Sequence, residues 1–439
     1  MPIRIPSRAC AFFLAIVITM SVSARQPNIV LIMADDMGYE CLGVNGSTSY
    51  ATPRLDALAA AGMRFTQGYS QPLCTPTRVK IMTGQYNFRN YRQFGTLDPA
   101  QKTFAQALKS AGYATAIAGK WQLGHDKSLP AHFGFDEYSL WQLTYEKKDG
   151  ERYANPLIEQ NGVALPRNEA TYGPTVFADF ACDFMTRNRE KPFLLYFPMA
   201  LVHNPFVPTP DSPEWEKGDR HKDDNKHFAD MMAYTDRVVG RVVDHVAALG
   251  LAEDTIIFFT GDNGTNRKIT SMMGERKIAG GKGMMTDAGT RVPLMAYWPG
   301  TIKQGGLHEG LVGFEDFFPT LLDLAGIEEY RESPLDGRSI LPLLRGESID
   351  EKPWLYCHYD PRWGNINQWR GRSARTTQYK LFADGRFYDV HDDPDEAHPM
   401  DKASLSEAAR AVHDTLQVVL DDMEKQGSVM SAEGAPNAK

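Results

Sequence analysis

Five short apolar runs punctuate the chain: Ile29–Met33, Ala114–Ala118, Phe193–Phe197, Thr255–Phe259 and Leu294–Trp298. Each is close to continuously apolar and rich in β-branched or aromatic residues, the pattern of a strand buried on both faces. Helical patterns lie between them. Pro53–Ala61 carries Leu55, Leu58 and Ala59 at helical spacing and stops at Gly62. Thr103–Ala111 stops at Gly112, and His227–Leu249 carries Met231, Tyr234, Val238, Val242 and Val246 before Gly250. Alternating strands and helices predict an α/β sheet with helices on both faces. Past Pro342 the rhythm changes. Trp354–Tyr359, Tyr379–Phe382 and Phe387–Val390 read as short strands between turn-rich segments, followed by a helix over Ser404–Glu424. The pattern divides the chain into a large domain over 25–342, a small α+β subdomain over 343–426 and a small, polar tail from Gly427 that reads as disordered.

Residues 1–24 bear on where the chain goes. Arg4 and Arg8 precede the apolar stretch Ala11–Met20, and Val22-Ser23-Ala24 closes it with small residues at the cleavage positions. That order predicts a signal peptide, hence export to the periplasm or beyond. The stretch is too short to span a bilayer, and no later run reaches membrane length, so stable membrane insertion is not expected. The 439 residues, 42% hydrophobic and 23% charged, suit a soluble globular protein. A net charge of −8 argues against nucleic acid as a partner, and an anionic substrate must then be met by local positive charge. Of five cysteines, Cys10 leaves with the signal. Cys41, Cys182 and Cys357 allow one disulfide at most once Cys74 is set aside for chemistry.

The reactive residues fall where the strands end. Asp35-Asp36 follow the first run, Lys120 the second, His203 the third and Asp262-Asn263 the fourth. In open α/β sheets the carboxyl ends of the strands line the ligand crevice. Asp35, Asp36, Asp262 and Asn263 offer three carboxylates and an amide carbonyl, an all-oxygen set suited to Ca2+, with Mg2+ as the other fitting cation. Lys120, His203 and Lys282 (in Gly281-Lys282-Gly283) add positive charge and a proton donor.

Cys74-Thr75-Pro76-Thr77-Arg78, followed by Thr83-Gly84, completes the set. With the residues above, this motif resembles the type I, formylglycine-dependent sulfatases of the alkaline-phosphatase-like superfamily, over about Asn28 to Pro399. The resemblance implies a large mixed central sheet flanked by helices, with a small C-terminal subdomain. It implies that a maturation enzyme oxidises Cys74 to formylglycine, whose hydrate supplies the nucleophilic hydroxyl at the metal, with Arg78 holding the modified residue. It also implies one calcium at Asp35, Asp36, Asp262 and Asn263, with residue 74 touching it. Lys120, His203 and Lys282 then converge on the sulfate of a sulfated saccharide or other sulfate ester, His203 as the better proton donor.

One position departs from the family. Where it has Gly-Lys-Trp-His-Leu-Gly, this chain has Gln122, which cannot accept a proton near neutral pH. His125, three residues on, is the nearest substitute in sequence. Two alternatives therefore stay open beside the sulfatase: a phosphodiesterase or phosphonate hydrolase of the same superfamily, and a weakly active relative that binds sulfated glycans. For substrate recognition, the stretch Pro361–Ala383 holds no acidic residue but contains Arg362, Arg370, Arg372, Arg375 and Lys380 with Trp363 and Trp369. Trp363–Arg372 is expected to form a sugar-holding loop over the pocket, with Arg89 and Asn90 facing the same opening.

Overall fold

All five apolar runs are strands. The computed structural model describes residues 26–144, 151–328, 330 and 334–433, so the signal segment over 1–24 lies outside the described residues. The strands are β1 (Asn28–Ala34), β2 (Met63–Tyr69), β3 (Ala114–Lys120), β4 (Glu137–Trp141), β5 (Ile158–Gln160), β6 (Val163–Ala164), β7 (Phe193–Pro198) and β8 (Thr255–Gly261). There follow β9 (Thr270–Met273), β10 (Arg276–Ala279), β11 (Leu294–Tyr297) and β12 (Gly306–Gly313), then β13 (Leu355–Tyr359), β14 (Gly371–Arg375), β15 (Tyr379–Phe382) and β16 (Phe387–Asp389).

Ten strands make one mixed sheet in the order β12-β2-β11-β8-β1-β7-β3-β4-β5-β6. β8, β1, β7, β3 and β4 are mutually parallel. β11 runs antiparallel between β8 and β2, which puts β2 back in the direction of β1. The carboxyl ends of β1, β2, β3, β7 and β8 and the amino end of β11 therefore share one edge of the sheet.

Strand β1 shows why the sheet is central. Its seven residues are all buried. Val30, Ile32 and Ala34 enter one core with the helices Pro53–Ala61, Gly173–Arg187 and His227–Ala248. Ile29, Leu31 and Met33 enter the other, with the helices Cys74–Thr83, Phe104–Ser110 and Phe317–Leu324. Alternate side chains point to opposite faces, so a continuously apolar strand needs cover on both. Truncating Leu31, fully buried, would cost roughly 2–5 kcal/mol. The helix expected from Thr103 starts one residue later, because Thr103 is its cap: its hydroxyl accepts from Gln106 N while Gln106 Oε1 accepts from Thr103 N.

The C-terminal strands form a separate antiparallel sheet, β13-β14-β15-β16. The final helix covers it, packing Leu416, Val419 and Leu420 on Tyr356, Ala374, Leu381 and Phe387. Two expectations are corrected here. The helix spans Glu407–Glu433, running through Gly427 where a disordered tail is expected; residues 434–439 lie outside the described residues. Trp363–Arg372 is not one loop: Gly364–Trp369 is a 3-10 turn, and Gly371 begins β14, paired with both β13 and β15. Cys41, Cys74, Cys182 and Cys357 are free thiols. Among the described residues no helix is long and apolar enough to cross a membrane.

Candidate active site

The shared edge gathers every reactive residue picked out in the sequence. Asp35 and Asp36 leave β1, and backbone bonds from Asp35 N to Leu201 O and from Asp262 N to Ala34 O (2.7 and 2.8 Å) tie that strand end to its neighbours. Asp36 takes a left-handed φ of 61°, which aspartate tolerates better than most residues. Two glycines let the edges close up. A Cβ on Gly119, before Lys120, would lie 2.2 Å from Pro198 O, and one on Gly261, before Asp262, 2.1 Å from Met37 O.

Cys74 comes from β2 by a short loop and opens the buried helix Cys74–Thr83. Thr77 braces that loop: its hydroxyl accepts from Gln71 N (3.0 Å) and donates to Leu73 O (2.9 Å). Pro76 sits in the first turn, where a missing N–H costs nothing. Arg78, one turn on, shares the face of Cys74. Its Nη2 donates to Asp262 Oδ2 (3.0 Å) and its Nη1 to the Lys120 carbonyl (2.9 Å). Lys282 arrives from the opposite direction, ahead of β11.

The charges interlock. Lys120 Nζ donates to Asp35 Oδ2 (2.7 Å), Lys282 Nζ to Asp36 Oδ2 (2.6 Å), and Asn263 Nδ2 to Asp36 Oδ1 (2.8 Å). His203 Nε2 stands 3.8 Å from Asp36 Oδ2. Its Nδ1 is 2.5 Å from Asn204 O, an acceptor only, which assigns the proton of the neutral ring to Nδ1. Burial, then the charges of Arg152 and Lys282, push His203 well below the ordinary imidazole range. Burial and the charge of Asp35 push Asp262 up to about 7, against the pull of Arg78 and Lys120. Burial would raise Asp35 too, but Lys120, His203, Arg78 and Arg152 outweigh it and hold that carboxyl far below its usual range. Burial raises the Cys74 thiol as well, with Lys120 and Lys282 pulling the other way. An unmodified Cys74 is thus a poor nucleophile at neutral pH.

The donor set fits a hard cation. Asp35 Oδ1 and Asn263 Oδ1 are both buried oxygens without a hydrogen-bond partner among the described residues. Ligand atoms of Asp35, Asp36 and His203 lie within 4.8 Å of one another. Buried acceptors left open beside clustered carboxylates are what an oxygen-ligated ion would satisfy.

The family profile described as Sulfatase matches residues 27–327, and the one described as N-sulphoglucosamine sulphohydrolase, C-terminal, matches 277–426. The chain belongs to the sulfatase family. Arylsulfatase A of Bos taurus is 34% identical over 377 residues, covering 76% of this chain and 71% of that protein. N-acetylgalactosamine-6-sulfatase of Canis lupus familiaris is 30% identical over 370 residues, covering 76% and 69%. The solved structure of Ps i-CgsB superposes with a TM-score of 0.75 at 25% identity, covering 92% of this chain and 93% of that one. A phosphonate monoester hydrolase of Agrobacterium radiobacter, 20% identical with a TM-score of 0.68 over 91% and 96%, shares the fold alone. This sulfatase is a hydrolase of sulfate esters on the alkaline-phosphatase-like fold.

The residues expected to recognise substrate are scattered. Trp369 does come near the centre: its ring lies 3.3 Å from where a Cβ on Gly283 would stand, beside Lys282, and the Arg267 guanidinium sits over it at 4.2 Å. Trp363 instead stacks on Phe94 with centroids 4.2 Å apart. Arg372 pairs with Glu424 of the final helix (3.0 Å), Arg89 with Asp336 (3.0 Å), and Asn90 is wholly buried against Thr83 and Gln85. None of these three side chains is free for a sugar in this arrangement. Arg375 and Lys380 are also neutralised from afar, by Asp287 (2.5 Å) and Glu396 (2.9 Å). His125 is exposed and meets the Leu143 carbonyl (3.3 Å), whereas Gln122 holds a left-handed φ of 53° with a buried Oε1 that has no partner among the described residues. Sequence reasoning missed Arg152, Trp141 and Arg267. Arg152 Nη1 lies 3.5 Å from Asp35 Oδ2, and no local motif announces it.

Proposed function

We propose that this sulfatase is an exported, calcium-dependent enzyme that hydrolyses a sulfate monoester on a carbohydrate through formylglycine derived from Cys74. The observation carrying the proposal is one interlocked cluster of three carboxylates, one amide, two lysines, Arg78 and His203, whose charges at Lys120, Lys282, Asp262 and Asp35 reach buried Cys74, with Asp35 Oδ1 and Asn263 Oδ1 open among the described residues. Asp35, Asp36, Asp262 and Asn263 would hold the Ca2+, which when bound supplies positive charge for an oxygen of the sulfuryl group. Hydrated formylglycine supplies a hydroxyl nucleophile at residue 74. The segment 1–24 would direct export.

The chain's own residues do the rest. Arg78 keeps Asp262 oriented and, through the Lys120 carbonyl, fixes the end of β3. Lys120 and Lys282 draw charge from the sulfuryl oxygens as the sulfur–oxygen ester bond breaks. Asp262, a carboxylate whose charge reaches the Cys74 thiol, can take the nucleophile's proton. His203 is neutral when the site is empty, and an arriving sulfate raises its affinity for a proton at Nε2. That proton passes to the leaving oxygen, and water balances the turnover as alcohol plus hydrogen sulfate.

A carbohydrate substrate is supported by the relatives. One is named for N-acetylgalactosamine 6-sulfate, and a structural neighbour was solved with its substrate D-glucosamine-2-N,6-O-disulfate. Matured protein should be assayed side by side on 4-nitrophenyl sulfate, defined sulfated saccharides, and matching phosphate and phosphonate esters. Turnover of sulfate esters well above the phosphorus esters is the expected result. The reverse order would favour the phosphoesterase reading, and tight glycan binding without turnover the binding-only reading that Gln122 motivates.

A further inference from the structure

Arg152 is a buried cation that the site's own carboxylates do not use up. Its side chain is 10% exposed, and Nη1 has no hydrogen-bond partner among the described residues. The nearest carboxylate oxygen, Asp35 Oδ2, lies 3.5 Å away and already accepts from Lys120 at 2.7 Å. A buried guanidinium N–H left without an acceptor is costly, so Nη1 is poised for one more anion.

Its position is built from both sides. Trp141 ends β4 directly opposite Lys120 in the parallel register, so it belongs to the same sheet edge as the reactive residues. The Arg152 guanidinium lies over the Trp141 ring, 4.2 Å from its centroid, which leaves the edge of the fork open for planar hydrogen bonding. Next to it, Tyr153 donates its hydroxyl to the carbonyls of Ala200 (2.8 Å) and His203, pinning Arg152 beside the histidine loop. The Tyr153 ring stacks in turn on Tyr172, with centroids 5.9 Å apart. Arg152 thus stands at the reactive sheet edge, beside Asp35 and next to the loop that carries His203, the proposed donor to the leaving alcohol.

We infer that Arg152, braced by Trp141, binds a second oxyanion carried by the sugar that bears the scissile sulfate, either a carboxylate or another sulfate. The inference rests on the sulfatase reading and narrows its substrate to multiply anionic saccharides. Arginine suits this task because its fork meets two oxygens of one anion at once, and charge-assisted bonds of this kind are strong.

The test compares wild type, Arg152→Ala and Arg152→Lys on four substrates: 4-nitrophenyl sulfate, a monosulfated neutral hexose, the same hexose with a second sulfate on the neighbouring carbon, and a sulfated hexuronate. On its anionic substrate, Arg152→Ala should lose about fiftyfold in kcat/KM, mainly through KM, but only a few-fold on the other esters. Arg152→Lys should recover part of that loss, since it keeps the charge and loses the fork. A selective loss on the disulfate identifies a second sulfate as the ligand, and a selective loss on the hexuronate a carboxylate. Because each ratio is taken on one preparation, misfolding cancels. Equal losses on all four substrates, or none, would overturn the inference. Wild-type protein inert towards every sulfate ester would instead sink the sulfatase reading, and this inference with it.

Discussion

Arg78 and Asp262 are joined Nη2 to Oδ2 at 3.0 Å, and neither side chain is exposed to solvent. The pair ties the helix opened by Cys74 to the end of β8. Removing one partner of a buried pair leaves the other charge stranded, at about 3–5 kcal/mol. Arg78→Met should lower stability by an amount of that order in denaturant unfolding, whereas Asp262→Asn, which removes a carboxylate whose charge burial and Asp35 already disfavour, should cost less. The double substitution should cost clearly less than the sum, with a coupling of about 1 kcal/mol or more. Strict additivity would show that the two side chains do not depend on each other.

Much of this site is legible in the sequence, and the exceptions have physical causes. Asp35-Asp36, Lys120, His203 and Asp262-Asn263 each follow a continuously apolar run, so their shared edge follows from the parallel pattern alone. Cys74 reaches the same edge from β2, Met-Arg-Phe-Thr-Gln-Gly-Tyr, a half-polar strand that hydrophobicity does not flag. Lys282 precedes β11, whose run is plain but whose direction is fixed by antiparallel pairing with β8 and β2. Arg372 misled because local charge excess says nothing about remote partners, and its partner Glu424 lies on the final helix. Arg152 lies outside every motif, and only tertiary packing brings it to Asp35.

The cation site makes a pH-linked prediction. With Asp262 raised to about 7 in the cation-free protein, Ca2+ must displace a proton around neutrality. Calorimetric titrations should show affinity rising as pH climbs through that value, with proton release into the buffer. Asn263→Ala removes an open acceptor and Asp262→Ala a carboxylate, and both should weaken binding. Parent-like affinity in Asp262→Ala would sink the ligand assignment.

Gln122 stands where the resemblance to the formylglycine-dependent sulfatases leads one to expect histidine. Its left-handed backbone accommodates histidine without added strain, and the buried Oε1 has no partner to lose among the described residues. Gln122→His should raise kcat by about tenfold or more and add an ionisation near neutral pH to the rate profile. An unchanged kcat and profile would show that another group already carries that proton.

Trp369, capped by Arg267 and packed against Gly283, offers a flat apolar face next to Lys282. Sugar rings bind such faces through their C–H surfaces. Trp369→Ala should lose far more activity on a sulfated saccharide than on 4-nitrophenyl sulfate, while Arg372→Ala should leave that ratio as it is. Loss of the same size on both substrates for Trp369→Ala would remove it from recognition.

Residue 74 carries the nucleophile of the proposed reaction. The most direct measurement is peptide mass spectrometry of Cys74 alongside turnover of 4-nitrophenyl sulfate, in protein made with and without a formylglycine-generating enzyme. The expected result is an aldehyde at position 74 whose fraction scales with kcat, and no turnover in Cys74→Ala. Full activity in protein whose Cys74 is entirely thiol would contradict it.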